Sequence, residues 1–85
     1  MAVNVTIDAR SRDEAELIAA ALPGRPQATS WRGYGIVRLR LRNKREIEPL
    51  LPIVEDCVER HRLPWARLRF GDEERMFKSR RSHAS

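Results

Sequence analysis

The chain has 85 residues, of which 34% are charged and 41% hydrophobic, and its net charge is +5. At about 100–200 residues per domain, this length allows one small domain with a thin core and disfavours a deep catalytic cleft. The composition is too apolar for a disordered chain and too polar for a membrane protein, and no apolar run approaches the ~18 residues of a transmembrane helix.

The single cysteine, Cys57, excludes an internal disulfide framework. A lone thiol is typical of proteins in a reducing compartment, so we expect a cytoplasmic protein. Residues 1–8 lack the basic start and the apolar run of a signal peptide, and we expect none.

The N-terminal residues predict a strand followed by a helix. Residues 3–8 alternate apolar and polar side chains with period two, as in a strand that is buried on one face. Ser11 and Glu14 have the spacing of a capping box, which indicates the start of a helix. An apolar face at helical spacing follows, and Pro23 and Gly24 end the helix.

The next segment, residues 27–42, predicts a β-hairpin with its turn in residues 32–35, where two glycines are free to take positive φ. Apolar and arginine side chains alternate along the second strand of this hairpin, residues 36–42. The arginines of that strand therefore share one face: Arg38, Arg40 and Arg42.

A second helix is predicted after residues 43–46, which repeat the capping pattern. Pro49 and Pro52 interrupt its apolar stripe, so the helix either begins near Pro49 or has a kinked first turn. The helix ends before Pro64, and residues 65–70 again alternate as a strand.

The C-terminal residues are less regular. Residues 71–77 fit either a turn into a short return strand or the cap and first turn of a short helix. Residues 78–85 are basic and predict a disordered tail.

The order β-α-β-β-α-β predicts the α+β class, and within it a ferredoxin-like two-layer sandwich. In that architecture a four-stranded antiparallel sheet carries two helices on one face, and its other face is left to water or to a partner. We expect residues 1–77 to form this single domain.

The uncovered face should be basic and aromatic, whereas most acidic residues fall on the two helices. Strand parity assigns to this face five arginines, up to three aromatic residues and one carboxylate, Asp8; Tyr34 is included if Arg32 and Gly33 form the turn. The candidate binding residues are Trp31, Tyr34, Arg38, Arg40, Arg42, Trp65, Arg67 and Arg69.

Residues 32–39, Arg-Gly-Tyr-Gly-Ile-Val-Arg-Leu, resemble the RNP1 segment of RNA-recognition-motif domains. Ile36 and Leu39 stand where that family has aromatic residues, and the segment falls on the third strand, as it does in the family. The matching positions are Arg32, Gly33, Tyr34, Gly35 and Val37. The resemblance implies RNA binding through the sheet.

Three interpretations of the uncovered face remain open. Arginines beside aromatic rings suit single-stranded nucleic acid, RNA in the first place, or another polyanion. The same residues suit a homodimer or a protein-interaction surface that uses the face or an edge strand. They also fit a solvated face with cross-strand ion pairs, for example between Arg40 and Asp8.

Signals for an enzyme are weak. Cys57 and His61 lie four residues apart on the second predicted helix, a spacing that suits a nucleophile pair or a metal site, but Cys57 borders the apolar stripe. We therefore expect a non-enzymatic binding module without catalytic residues, metal ligands or a cofactor, and without a membrane partner.

Overall fold

Two helices and five antiparallel strands make up residues 2–79, the part of the chain that the computed structural model describes. The strands are β1 (Val3–Ala9), β2 (Ala28–Trp31), β3 (Tyr34–Leu41), β4 (Ala66–Phe70) and β5 (Glu73–Phe77). The helices are α1 (Arg12–Ala21) and α2 (Leu50–Arg60), and a short 3-10 turn, Lys44–Ile47, precedes α2.

The sheet order is β2-β3-β1-β4-β5, so the first strand of the chain lies at the centre. All four strand pairs are antiparallel. This arrangement confirms the α+β class that the sequence predicts. The predicted number of four strands is wrong, because a fifth strand extends the sheet beyond β4.

The fifth strand answers the question that the sequence left open for residues 71–77. Gly71 has a φ of +57°, and the two-residue turn Gly71-Asp72 brings Glu73 opposite Phe70. Turns of this length join adjacent antiparallel strands, and their first residue often has positive φ. The segment therefore folds back as an edge strand and does not form a helix.

The core lies between the helices and one face of the sheet. Ile7, Val37 and Leu68 come from three neighbouring strands and are fully buried. They belong to one apolar cluster with Ile18 of α1 and Val54 of α2. Burying a side chain of this size contributes roughly 1.5–3 kcal/mol, so the helices are held by this face and leave the opposite one, here called the open face, uncovered.

The helix starts follow the two predicted caps in different ways. The Ser11 hydroxyl accepts the Glu14 backbone N–H at 3.3 Å and caps α1 as predicted. The Asn43 side chain accepts the Arg45 N–H at 2.9 Å, and it therefore caps the 3-10 turn. The helix α2 begins only after Pro49, the first of the two alternatives, and this start places Pro52 in the first turn, where a missing backbone donor costs little.

The helix layer approaches the sheet closely at Gly35 in β3. A Cβ at this position would overlap the backbone carbonyl oxygen of Ser11 and would lie 2.6 Å from the Cβ of Ala15. Position 35 therefore requires glycine because the first turn of α1 packs directly on β3.

The predicted tail, residues 78–85, lies outside the described residues except for Lys78 and Ser79. The Ser79 side chain is buried. Neither helix in residues 2–79 is long and apolar enough to cross a bilayer.

Candidate functional site

The strand register places most of the predicted binding residues on the open face. Residues directly opposite each other on paired strands point to the same side of a sheet. Thr6 lies opposite Arg38 on one side and Arg69 on the other, and Asp8 likewise lies between Ile36 and Arg67.

Two of the predicted binding residues, Arg40 and Arg42, lie at the C-terminal end of β3, and only the first is placed on the open face by the register. Arg40 lies opposite Asn4, so it is on the open face but cannot pair with Asp8, and the cross-strand pair suggested by the sequence is wrong. Arg42 follows the last residue of β3, and its backbone N–H donates to the Glu46 carboxylate. The register therefore does not assign the Arg42 side chain to the open face.

The aromatic residues gather at the hairpin end of the open face. Trp31 and Tyr34 flank the turn, in which Arg32 and Gly33 have φ values of +51° and +86°. Trp31 is 59% exposed and Tyr34 is 49% exposed. The Tyr34 and Trp65 ring centroids are 6.0 Å apart with a tilt of 58°, a favourable aromatic contact. The Arg32 guanidinium lies 4.7 Å from the Trp31 ring centroid.

The middle of the open face holds an ion-pair cluster, here called the Asp8 cluster and formed by Asp8, Arg67 and Arg69. Asp8 is only 4% exposed. Its Oδ2 lies 2.9 Å from Arg67 Nη2 and 2.8 Å from Arg69 Nε, and its Oδ1 accepts Arg69 Nη2 at 3.1 Å. A buried carboxylate is tolerated when hydrogen bonds to cations replace its hydration, so each arginine of β4 stabilises Asp8.

The arginines of β3 have no such partner. Neither Arg38 nor Arg40 forms an ion pair within residues 2–79, and both are exposed. The arginines of the open face are therefore of two kinds: those of β4 pair with Asp8, and those of β3 pair with no carboxylate of residues 2–79.

The aromatic end and the Asp8 cluster line one concavity, here called the groove, with a volume of about 690 Å³. Ile36 is buried within it, and Pro64, Met76 and Lys78 complete its lining. The sequence predicts the aromatic and arginine residues of the groove. It does not predict Met76 or Lys78, because their places depend on β5.

Cys57 is buried in the core. Burial, and next the neighbouring Asp56 carboxylate, raise the pKa of the Cys57 thiol, while Arg60 acts in the opposite direction. The thiol is therefore poorly suited to act as a thiolate nucleophile. In residues 2–79, no three His, Cys, Asp or Glu side chains are close enough together to hold a metal ion.

Comparison with known proteins gives no match to a protein-family model, to a curated protein or to a solved structure. In the RNP1-like segment, three of the matching residues have structural roles: Gly33 forms the turn, Gly35 contacts α1 and Val37 is core. The functional interpretation therefore depends on the geometry of the open face.

Proposed function

We propose that the open face binds single-stranded nucleic acid, RNA in preference to DNA, and that the protein is a small non-enzymatic binding module of the cytoplasm. One observation carries this proposal: exposed Trp31 and Tyr34 share an uncovered sheet face with Arg38 and Arg40, which form no ion pair within residues 2–79. Single strands need both groups, because rings stack on bases and cations neutralise phosphates.

The two groups contribute to binding in different ways. Each base stacked on an aromatic ring adds about 1–3 kcal/mol, and this part depends little on salt. Each neutralised phosphate of a single strand adds about 0.7 to the slope of log K against log salt concentration. Arg38 and Arg40 are two residues apart on β3, which spaces them by roughly 6.7 Å, so they can contact separate phosphates of one extended strand.

The preference for RNA is supported by the RNP1-like segment, residues 32–39. Its aromatic residue, Tyr34, is exposed at the aromatic end of the open face. Cytoplasmic location is supported by Cys57, which is free and buried.

The experiment is a fluorescence anisotropy titration of labelled single-stranded RNA and DNA of the same sequence at low and high salt. We expect the RNA to bind more tightly, and the affinity for both to fall as salt rises. Trp31→Ala should weaken binding about fivefold or more by removing a stacking ring, and should leave the salt slope unchanged. Salt-independent binding, or none at low salt, contradicts the proposal.

A homodimer or a protein interface is the second candidate, and the exposed apolar side chains favour it. Met76 is 52% exposed beside Trp31 and Tyr34 in the groove, and contiguous apolar patches often mark interfaces. A symmetric sheet-to-sheet dimer would bring arginines against arginines, which is costly unless acidic residues intervene. Sedimentation of the free protein discriminates: a stable dimer that binds neither RNA nor DNA supports this candidate.

A further inference from the structure

Building on the proposed function, we infer that the groove is a mononucleotide site, in which the aromatic end takes one base and the Asp8 cluster takes the phosphate attached to the same nucleotide. The ligand class is a nucleoside monophosphate, either free or as one unit of a strand. Unlike general strand binding, such a site holds a base and its phosphate at fixed, neighbouring positions.

The hydrogen bonds of the Asp8 cluster indicate where the phosphate binds. Arg67 and Arg69 both use Nε and Nη2 to contact Asp8, and neither uses Nη1. The arginine side chains are 39% and 46% exposed, so each presents its remaining N–H groups to the outside. One carboxylate between two guanidinium groups leaves the cluster itself with a net positive charge, which attracts an anion. Glu74 lies opposite Arg69 on β5 but does not line the groove.

The Asp8 contacts also hold both guanidinium groups in fixed orientations before a ligand arrives. A planar guanidinium is suited to donate two hydrogen bonds to one phosphate. Because the orientations are fixed in advance, less side-chain entropy is lost on binding than for a free arginine. Lys78 lines the same groove and adds a further positive charge.

The aromatic residues of the groove indicate where the base binds. Trp31, Tyr34 and Trp65 line the groove together with Ile36 and Met76, whereas Arg32, which stacks on Trp31, does not line it. Arg32 therefore covers Trp31 from outside the groove and leaves the groove side to a ligand. The surface combines apolar and aromatic groups, as a planar base requires.

The size of the groove agrees with one nucleotide. Its volume of about 690 Å³ lies within the roughly 300–1,000 Å³ of small-molecule sites. Because Arg67, Trp65 and Tyr34 line a single concavity, one ligand with a ring and an anionic group is favoured over separate ligands for each part.

The test is a titration followed by tryptophan fluorescence with adenosine 5′-monophosphate, adenosine and inorganic phosphate as separate ligands. We expect the monophosphate to bind at least about tenfold more tightly than adenosine, since hydrogen bonds between charged groups add about 1.5–3 kcal/mol, and tenfold is about 1.4 kcal/mol. Inorganic phosphate alone should bind weakly. Equal affinities for adenosine and its monophosphate overturn the inference.

Matched variants locate the site. Arg69→Gln should lower the affinity for the monophosphate to that for adenosine, while Arg75→Gln, an exposed arginine of the neighbouring strand β5 that does not line the groove, should change neither. Arg67 still pairs with Asp8 in the first variant. If Arg75→Gln lowers the affinity as much as Arg69→Gln, the phosphate is not bound at the Asp8 cluster.

Competition with single-stranded RNA separates this inference from the proposed function. If RNA binds and the monophosphate does not bind, the mononucleotide site is refuted while strand binding stands. If the monophosphate binds and RNA does not, the proposed function is refuted and the ligand is the free nucleotide.

Discussion

Replacing Gly35 with alanine should destabilise the protein more than any other glycine substitution in the hairpin. The added Cβ would overlap the Ser11 carbonyl oxygen and lie 2.6 Å from the Ala15 Cβ, so α1 must move away from β3. Overpacking of this kind costs typically 1–3 kcal/mol, and because the nearest group is backbone we expect about 3 kcal/mol. A chain of 85 residues has about 4–13 kcal/mol of stability in total, so the loss is large.

The measurement is urea unfolding followed by tryptophan fluorescence and circular dichroism, with Gly33→Ala as the matched control. Gly33 has a φ of +86° and no atom within 4 Å of a Cβ built there. Its substitution adds backbone strain of about 1–2 kcal/mol but no clash. If Gly35→Ala is as stable as Gly33→Ala, α1 does not pack on β3 as described.

Two further predictions concern buried polar groups. The double variant Arg67→Gln with Arg69→Gln should lower the free energy of unfolding in urea by about 3 kcal/mol, because it leaves the buried Asp8 carboxylate without a charged partner. A loss below about 0.5 kcal/mol, as expected for exposed surface residues, would show that the Asp8 cluster contributes nothing to stability. Cys57→Ala should cost about 1–2 kcal/mol at neutral pH as a small core truncation. Burial, and then Asp56, raise the folded pKa of the Cys57 thiol above its ordinary value of 9.0, so the stabilisation from the neutral thiol is present below that ordinary pKa and is lost as pH rises through the folded pKa. The stability difference between wild type and Cys57→Ala should therefore shrink above about pH 9, and a constant difference up to about pH 10 would contradict a buried thiol.

The elements with a buried face could be predicted from the sequence. The strand β3 alternates Val37 and Leu39 with arginines, and the buried members face the core as the period-two pattern requires. The start of α1 follows equally from Ser11, whose side chain makes the predicted cap. In these segments the local pattern and the tertiary structure impose the same requirement.

The strand β5 has no such pattern. Four of its five residues are exposed, and only Phe77 is partly buried. An edge strand that buries little apolar surface is held mainly by backbone hydrogen bonds to its neighbour, and these bonds leave no trace in side-chain hydrophobicity. The sequence therefore cannot decide whether residues 71–77 form a strand or a helix, and it cannot place Met76 and Lys78 in the groove.

Strand parity could predict which residues share the open face, but not which of them touch. The contacts of Asp8 with Arg67 and Arg69 join positions 59 and 61 residues apart. They depend on the register between β1 and β4. The register between β1 and β3 places Arg40 opposite Asn4, away from Asp8. A register shift of two residues leaves the parity of a strand unchanged. Parity alone therefore cannot show which arginines pair with Asp8 and which form no ion pair within residues 2–79.

The central claim is that the open face binds the phosphates of a single strand, and charge reversal on β3 tests it most directly. Arg38→Glu with Arg40→Glu is compared, by anisotropy with single-stranded RNA at low salt, with Arg12→Glu and Arg60→Glu on the helices, which change the net charge equally. We predict that the β3 variant loses at least about a hundredfold in affinity and about 1.4 units of salt slope, about 0.7 for each of two phosphates, while the helix variant loses little. Equal losses in both variants, or wild-type binding by the folded β3 variant, would contradict the claim.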